Sequence, residues 1–163
     1  MALDKNAELL AKVPIFGGLA TEQLSAIVAK GKKTFFGAGK QVIACGDTGQ
    51  TAYLILSGHA VTKPPKASRL EPETLGPGTL IGETAMLSET EYSINVVALD
   101  RMRTLALKRE DLFAVMEADP SIAHHLADKI TERLIYLARD LREVDARFAL
   151  LEASIDESMA SVG

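Results

Sequence analysis

Short β-rich runs separated by glycine-containing turns fill the middle of the chain, from about residue 32 to residue 107. Many short strands with regular turn signals are typical of an antiparallel sandwich or roll. The run Ala52–Leu56 is almost wholly apolar and predicts a strand deep in that roll. The predicted strands are Lys32–Phe36, Lys40–Ala44, Tyr53–Ser57, His59–Thr62, Arg69–Leu75, Ile94–Leu99 and Met102–Lys108.

Helical patterns flank this region on both sides. Before it, residues 3–12 carry apolar side chains on a helical period, and Thr21 is predicted to cap a second helix. After it, Arg109–Met116 predicts a short helix. Asp119-Pro120 then marks the start of a longer helix, because aspartate caps helices and proline suits their first position.

The segment after Pro120 runs without glycine or proline to the end of its apolar pattern near Ile155. Its apolar residues alternate at spacings of four and three over about four heptads, which is typical of a coiled coil. Because so long a seam needs a partner, we predict a parallel homodimer through this helix, while residues 122–130 pack on their own domain. Residues 154–163 are predicted to fray. The seam consists of Ile130, Leu134, Leu137, Leu141, Val144, Phe148, Leu151 and Ile155.

Together these patterns predict an α+β fold that is mainly β, an antiparallel, jelly-roll-like β-roll flanked by N-terminal helices and a long C-terminal dimerisation helix. The predicted division is residues 1–119 for the helices and roll, and residues 120–163 for the dimer helix and its tail. The net charge of −4 and the lack of a long basic run argue against broad nucleic-acid binding. No apolar stretch approaches the roughly 20 residues of a membrane span, and the N-terminus lacks a signal-peptide core, so we expect a cytoplasmic protein.

Catalytic and metal-binding patterns are absent from the sequence. The single cysteine, Cys45, cannot form an internal disulfide, and we expect it in the core. His124-His125 has no third ligand at a useful spacing and His59 stands beside a turn, so no metal site is predicted. With no catalytic triad, P-loop or dinucleotide fingerprint, we expect no enzyme activity.

One short stretch, Gly76 to Leu87, carries the strongest functional signal. A turn and a brief strand, Leu80-Ile81, lead into one helical turn that opens on Gly82-Glu83. A helix that begins on glycine offers free N–H groups, the positive end of a small dipole and no Cβ, which favours an anion such as phosphate. Taken alone, a glycine and a glutamate at a helix start are more often only a cap.

The order of these elements resembles the cyclic-nucleotide-binding domain family over roughly residues 8–150. Val13–Leu19 is similar to the family's apolar entry link, and Ala38–Asp47 to its early glycine-containing motif. Tyr53–Gly58 is similar to its buried strand, and Leu75–Leu87 resembles its phosphate-binding cassette. The resemblance implies a cyclic nucleotide, cAMP or cGMP, as the ligand.

It also implies roles for residues of the cassette. Gly82 would allow close approach of the backbone, and Glu83 would accept a hydrogen bond from the ribose 2′-hydroxyl. Thr84 and Ala85 would offer backbone N–H groups to the cyclic phosphate. Without this context, Glu83 would be read only as a first-turn charge that favours the helix dipole.

The sequence departs from the family where an arginine normally pairs with the phosphate. Tyr92 stands at that position, followed by Ser93, whose hydroxyl also meets the phosphate in several bacterial members. A tyrosine donates one neutral hydrogen bond and lacks the charge and fork of arginine. The affinity is therefore expected to be about ten- to a hundred-fold lower, unless Arg69, Arg101 or Arg103 reaches the phosphate.

Two functions stay open at this point. The first is a homodimeric cAMP or cGMP sensor that acts in signal transduction on a protein effector, which Gly82-Glu83 and Ser93 favour. The second is a degenerate roll that binds no cyclic nucleotide and serves as a dimerising interaction module, which Tyr92 and the apolar Leu137-Ala138 at the family's base-reading positions favour. Tyr136 beside them is either a ring that stacks on a purine or an ordinary exposed tyrosine. Because the family's DNA-binding helix-turn-helix is not found after the long helix, no direct DNA binding is expected.

Overall fold

The computed structural model describes residues 4–162 as two compact units, the first ending at His125 and the second beginning at Leu126. The helices are α1 (Lys5–Ala11), α2 (Thr21–Lys30), α3 (Glu83–Leu87), α4 (Arg109–Ala118) and α5 (Pro120–Ala160), with a 3₁₀ turn at Pro14–Phe16. The strands are β1 (Lys32–Phe36), β2 (Gln41–Ile43), β3 (Thr48–Gly49), β4 (Thr51–Ser57), β5 (Ala60–Lys63), β6 (Thr74–Leu75), β7 (Leu80–Ile81), β8 (Thr90–Glu91), β9 (Asn95–Ala98) and β10 (Met102–Lys108).

The strands form two four-stranded sheets, in the orders β1-β10-β4-β7 and β2-β9-β5-β6, and a small β3-β8 pair. Every pairing is antiparallel. Buried residues from both large sheets form one apolar core, as expected where the inward faces of two sheets pack together. The predicted α+β fold with an antiparallel β-roll is therefore confirmed. The buried residues of this cluster between the sheets are Val42, Ile43, Ile55, Ala60, Ile81, Val96, Ala98 and Met102.

Strands β1 and β10 have the predicted bounds, whereas the predicted strand Arg69–Leu75 is reduced to the two residues of β6. Pro72 has no N–H group and cannot donate to a sheet, so the segment before β6 stays irregular. Leu70 within it is 69% exposed.

Two further local predictions, for Cys45 and Thr21, were wrong. Cys45 is exposed rather than in the core, because it follows β2 in a turn where its N–H donates to Asn95 Oδ1 at 2.8 Å. Thr21 is the first residue of α2, and the N-cap is Ala20, whose N–H donates to Gln23 Oε1 at 3.0 Å.

A helix was predicted for residues 3–12, and α1 confirms it over Lys5–Ala11. Residue 3 lies outside the described residues. Asp4 caps α1 by accepting a hydrogen bond from the N–H of Asn6 at 3.0 Å. At the other predicted cap, Asp119 Oδ1 accepts a hydrogen bond from the N–H of Ser121 at 3.1 Å, and α5 starts at Pro120 as expected.

Helix α5 has 41 residues, so it is about 60 Å long. It is helical as far as Ala160, beyond the predicted frayed point at residue 154, because alanine, methionine and glutamate there are good helix formers. Despite this length, no helix in the part of the chain that is described is apolar enough to cross a membrane. In the single chain, the seam from Leu134 to Ile155 is exposed to solvent.

Candidate functional site

The structure brings six of the seven predicted ligand-binding residues together around one cavity of about 230 Å³ in the first unit. The seventh, Tyr136, lies in the second unit and is 65% exposed. We call this space the cassette cavity. Its lining consists of Gly82, Glu83, Thr84, Ala85, Tyr92 and Ser93, which were predicted, and of Ile43, Thr90, Glu91 and Ile94, which were not.

Gly82 shapes the entrance to α3. It caps the helix in the left-handed conformation, with φ 78° and ψ 28°, which glycine adopts without strain. A Cβ at this position would lie 2.9 Å from Tyr92 Cε1 and 3.2 Å from the carbonyl oxygen of Thr51. Glycine is therefore required here both by the backbone angle and by the lack of room.

Helix α3 is short, and its hydrogen bonds decide which amides can meet a ligand. The N–H of Ala85 donates to the carbonyl oxygen of Gly82 at 3.1 Å, so this predicted phosphate donor is used inside the turn. Thr84 stands at the start of the helix, where N–H groups have no intrahelical acceptor. Of the two predicted amide donors, Thr84 is the one that the helix leaves for a ligand.

Tyr92 lines the cavity, but its hydroxyl is directed elsewhere. The hydroxyl donates a hydrogen bond of 2.7 Å to the carbonyl oxygen of Thr51. Burial of the ring is the main cause that raises the pKa of Tyr92 above its ordinary value of 10.0, so the group stays a neutral donor. The hydroxyl thus donates its one hydrogen bond to the protein backbone, and not to a phosphate as the sequence suggested.

Arg109, the first residue of α4, was not among the predicted site residues. Its side chain is only 12% exposed, and Nη2 lies 2.8, 2.8 and 2.9 Å from the carbonyl oxygens of Gly49, Ala85 and Ser88. Nε adds a bond of 3.1 Å to Ala85, and Nη1 lies 3.5 Å from Glu89 Oε1. Arg109 therefore joins the C-terminal end of α3 to β3 and α4. The available signal was an arginine placed directly after the end of β10, at the start of a predicted helix.

Charge in the cassette cavity is acidic. Glu83 and Glu91 line it, and no lysine, arginine or histidine is among its lining residues within the described chain. Arg101 and Arg103, two of the predicted substitutes for the missing arginine, line a different groove, and Arg69 lines neither.

Thr90, on β8, contributes an unusual polar group to the cavity. Its Oγ1 atom is buried and has no hydrogen-bond partner among the described residues. Buried hydroxyls nearly always have a partner, and an exception needs an explanation.

The histidines lie outside this cavity. His59 Nδ1 lies 3.0 Å from Asp100 Oδ2 on the surface, and this hydrogen bond is the main cause that lowers the pKa of Asp100. His125 Nε2 lies 2.9 Å from the carbonyl oxygen of Gly17. Among residues 4–162, no group of three or more His, Cys, Asp or Glu side chains is placed to hold a metal ion.

Comparison with known proteins bears directly on this arrangement. The family model described as the cyclic nucleotide-binding domain matches residues 33–119, which include the whole cassette cavity and Arg109. The cyclic AMP receptor protein of Thermus thermophilus is 36% identical over 140 residues, which cover 85% of this chain and 62% of that protein. The chain thus spans less than two thirds of the length of this relative.

Solved structures agree on the fold. The crystal structure of the Thermus thermophilus catabolite activator protein matches with a TM-score of 0.63 and 35% identity, over 85% of this chain and 63% of that one. The N-terminal domain of a transcriptional regulator from Streptomyces coelicolor A3(2) matches with a TM-score of 0.75 and 24% identity, over 82% of this chain and 94% of that one. With the family model covering more than half of its length, this chain belongs to the cyclic nucleotide-binding domain family.

Proposed function

We propose that this chain is a non-catalytic regulatory domain that binds a cyclic nucleotide, cAMP or cGMP, and signals as a homodimer. The observation that carries the proposal is the convergence of the cassette residues on one cavity, with Gly82 in the left-handed conformation at the start of α3. The similarity to a cyclic AMP receptor protein supports the same ligand class. A cytoplasmic location and a protein effector are part of the proposal.

In this proposal the ligand is held mainly by hydrogen bonds. Glu83 accepts a hydrogen bond from the ribose 2′-hydroxyl. The Thr84 amide and the Ser93 hydroxyl donate hydrogen bonds to the cyclic phosphate. Thr90 Oγ1, buried without a partner in the described chain, gains one from the ligand. A charge-assisted hydrogen bond contributes about 1.5–3 kcal/mol. Because no lysine, arginine or histidine is among the described residues that line the cavity, the expected binding is weak.

The dimer is proposed to form along the seam of α5. Seven seam residues from Leu134 to Ile155 are between 45% and 65% exposed in the single chain. Their heptad spacing places them along one stripe of the helix, which two parallel copies can bury against each other. Exposed apolar stripes of this length mark interaction surfaces on proteins in water.

Arg109 offers a route by which a ligand changes what the domain presents. It bonds the carbonyl oxygens at the end of α3 and is itself the first residue of α4. A displacement of α3 by a ligand therefore acts on α4 through these bonds. Such coupling shifts an equilibrium only as far as the ligand prefers one arrangement over the other.

A second function is favoured by the hydrogen bond of Tyr92. Its proton is donated to Thr51, and the cavity carries two carboxylates, so the site is poorly equipped for a phosphate. In the alternative, the roll binds no cyclic nucleotide and acts as a dimerising protein-interaction module. The two functions differ in one measurable property, the binding of nucleotide.

Calorimetric titration of nucleotide-stripped protein with cAMP and cGMP tests the proposal. We expect the heat to saturate at one ligand per chain. Glu83→Ala should lower the affinity by about ten-fold, which corresponds to the loss of one charge-assisted hydrogen bond. Glu71→Ala removes an exposed carboxylate outside the cavity and is expected to leave the affinity unchanged. Absence of heat up to millimolar ligand would reject nucleotide binding and leave the interaction module.

A further inference from the structure

A second concave surface lies outside the cassette cavity, at the end of the sheet that contains β1 and β10. It is a groove of about 480 Å³ with an apolar floor and two arginines. We call it the β1 groove. It is lined by Phe35, Phe36, Gly37, Arg101, Met102 and Arg103.

The apolar part of the β1 groove is both exposed and rigidly supported. Phe35 is 68% exposed, an unusual state for a phenylalanine in a strand. Behind it, Met102 is buried and the ring of Phe36 packs edge-to-face on that of Tyr53, with centroids 5.4 Å apart. The floor is therefore part of the core, and Phe35 is the side chain that the fold leaves uncovered.

The two arginines supply unneutralised positive charge. Phe35 is paired with Arg103 across the β1–β10 ladder, so the two side chains lie on the same face of the sheet. Within residues 4–162, neither Arg101 nor Arg103 makes a side-chain hydrogen bond or ion pair. The neighbouring carboxylate, Asp100, is already bound to His59. The groove is thus locally basic in a chain whose net charge is −4.

Strand β1 also provides a free edge. It is the terminal strand of its sheet and pairs with β10 on one side. Half of the N–H and C=O groups of such a strand point away from its partner and can pair with another extended backbone. Lys32 and Lys33 stand exposed on the same strand and extend the positive charge along this edge.

We propose that the β1 groove and the edge of β1 form a docking site for an extended acidic segment of a partner protein. An aliphatic or aromatic side chain of the segment packs on Phe35, its carboxylates pair with Arg101 and Arg103, and its backbone adds to β1 as a further strand. This mode of recognition takes its affinity from main-chain hydrogen bonds and its selectivity from the pockets for alternate side chains.

A protein segment fits these observations better than a nucleic acid does. The edge of β1 presents alternating donors and acceptors that match a peptide backbone, whereas a phosphodiester chain has only acceptors. The basic side chains here are also too few for the phosphate contacts that drive nucleic-acid binding.

The test is a selection of random displayed peptides on the immobilised, intact chain. We expect the enriched peptides to combine glutamate or aspartate with an aliphatic or aromatic residue. A labelled copy of the most enriched peptide should bind the double variant Arg101→Glu/Arg103→Glu at least about ten-fold more weakly, since two charge-assisted hydrogen bonds are lost. Phe35→Ser, which removes an exposed ring and leaves the core intact, should weaken it as well.

The control is Lys66→Glu/Arg69→Glu, which makes the same charge change at exposed positions outside the groove and should leave the affinity unchanged. Equal weakening by this control would mean that only net charge matters and would overturn the proposal. So would enriched peptides without acidic residues, peptides that bind all variants alike, or a labelled single-stranded oligonucleotide that binds more tightly than any peptide. Unchanged thermal unfolding of each variant establishes that the losses are local.

Discussion

The hydroxyl of Tyr92 donates a hydrogen bond of 2.7 Å to the carbonyl oxygen of Thr51, beside Gly82 at the start of α3. Tyr92, which the sequence resemblance placed at the family's phosphate-binding arginine, is therefore a structural element of the cavity wall. Its ring lies 2.9 Å from where a Cβ on Gly82 would stand. Tyr92 thus contributes a packed ring with a satisfied hydroxyl, and the proposed ligand is expected to bind through other groups.

Tyr92→Phe tests this assignment. The substitution leaves the ring in place but removes the donor to Thr51, so the free energy of unfolding should fall by about 1 kcal/mol. The cyclic-nucleotide affinity, measured by calorimetry, should not change. A loss of affinity without a loss of stability would show that the hydroxyl donates to the ligand, as the sequence alone suggested.

The pKa of the same residue makes stability depend on alkaline pH. Burial raises the pKa of Tyr92 in the folded chain above 10.0, its ordinary value in the unfolded chain. As the pH rises through about 10, the unfolded chain releases this proton before the folded chain does, so the free energy of unfolding falls. Urea unfolding at about pH 9 and about pH 11 should show this fall, and Tyr92→Phe should reduce it. An equal fall in both proteins would assign it to other groups.

Thr90→Val examines the unpartnered hydroxyl. Valine keeps the shape and removes a buried oxygen without a partner, so the ligand-free protein should gain up to about 1 kcal/mol in unfolding free energy. The nucleotide affinity should fall by about five- to ten-fold, since the ligand loses one hydrogen bond.

The matched control for this change is Thr104→Val. Thr104 is fully buried and its hydroxyl donates to the carbonyl oxygen of Thr34 at 3.1 Å. The same substitution there should lower stability by about 1 kcal/mol and leave the affinity alone. If Thr90→Val destabilises the protein as much as the control does, its hydroxyl has a partner in solution and the role in binding is refuted.

Arg109→Met removes the bonds to Gly49, Ala85 and Ser88. Because these acceptors are left at a largely buried site, we expect a loss of about 2–3 kcal/mol in unfolding free energy and faster hydrogen exchange in α3. The nucleotide affinity should fall as the cassette loosens. Lys108→Met removes the same charge from the preceding, exposed residue, whose contact is a 3.9 Å ion pair with Glu110, and should change neither quantity.

The proposed dimer is tested by Leu141→Asp. A carboxylate buried in the seam would be unpaired, so sedimentation velocity should show a shift from dimer to monomer. Leu150→Asp is the control, because Leu150 is more exposed, 72% against 65%, and lies off the seam. Equal sedimentation of both variants and the unchanged protein, whether as monomers or as dimers, would exclude the seam as the interface.

Much of the fold was predictable because its elements have strong local signals. Short β-rich runs between turn residues, a glycine before β1 and Asp100-Arg101 before β10, predicted both strands to the residue, and Asp119-Pro120 predicted the start of α5. The cassette was predictable for the same reason, since its members lie close together in sequence. Ser93 and Gly82 line one cavity, as expected.

The missed features depend on contacts between distant segments. Arg109 acts on Gly49, which is 60 residues away, and no local pattern shows where a guanidinium ends up. Thr90 looks like an ordinary loop threonine in the sequence, and only the fold, in which β8 pairs with β3, shows that its hydroxyl is buried. The direction of the Tyr92 hydroxyl also depends on packing, because the sequence does not show whether the hydroxyl donates to a ligand or to the backbone.

The crowding around Tyr92 has a consequence for how such a chain can change over generations. A Cβ at Gly49 would lie 2.5 Å from Ala85 Cβ and 2.6 Å from Tyr92 Cζ, and one at Gly82 would meet the same ring. Gly49 and Gly82, which are distant in sequence, thus both leave room for the ring of Tyr92. A descendant that acquires an arginine in place of Tyr92 loses the hydroxyl that donates to the carbonyl oxygen of Thr51, so this acceptor needs a new donor. Loss of the ring would free neither glycine, because Gly82 keeps its φ of 78° and a Cβ at Gly49 would still lie 2.5 Å from Ala85 Cβ. Position 92 is therefore expected to change while positions 49 and 82 stay glycine.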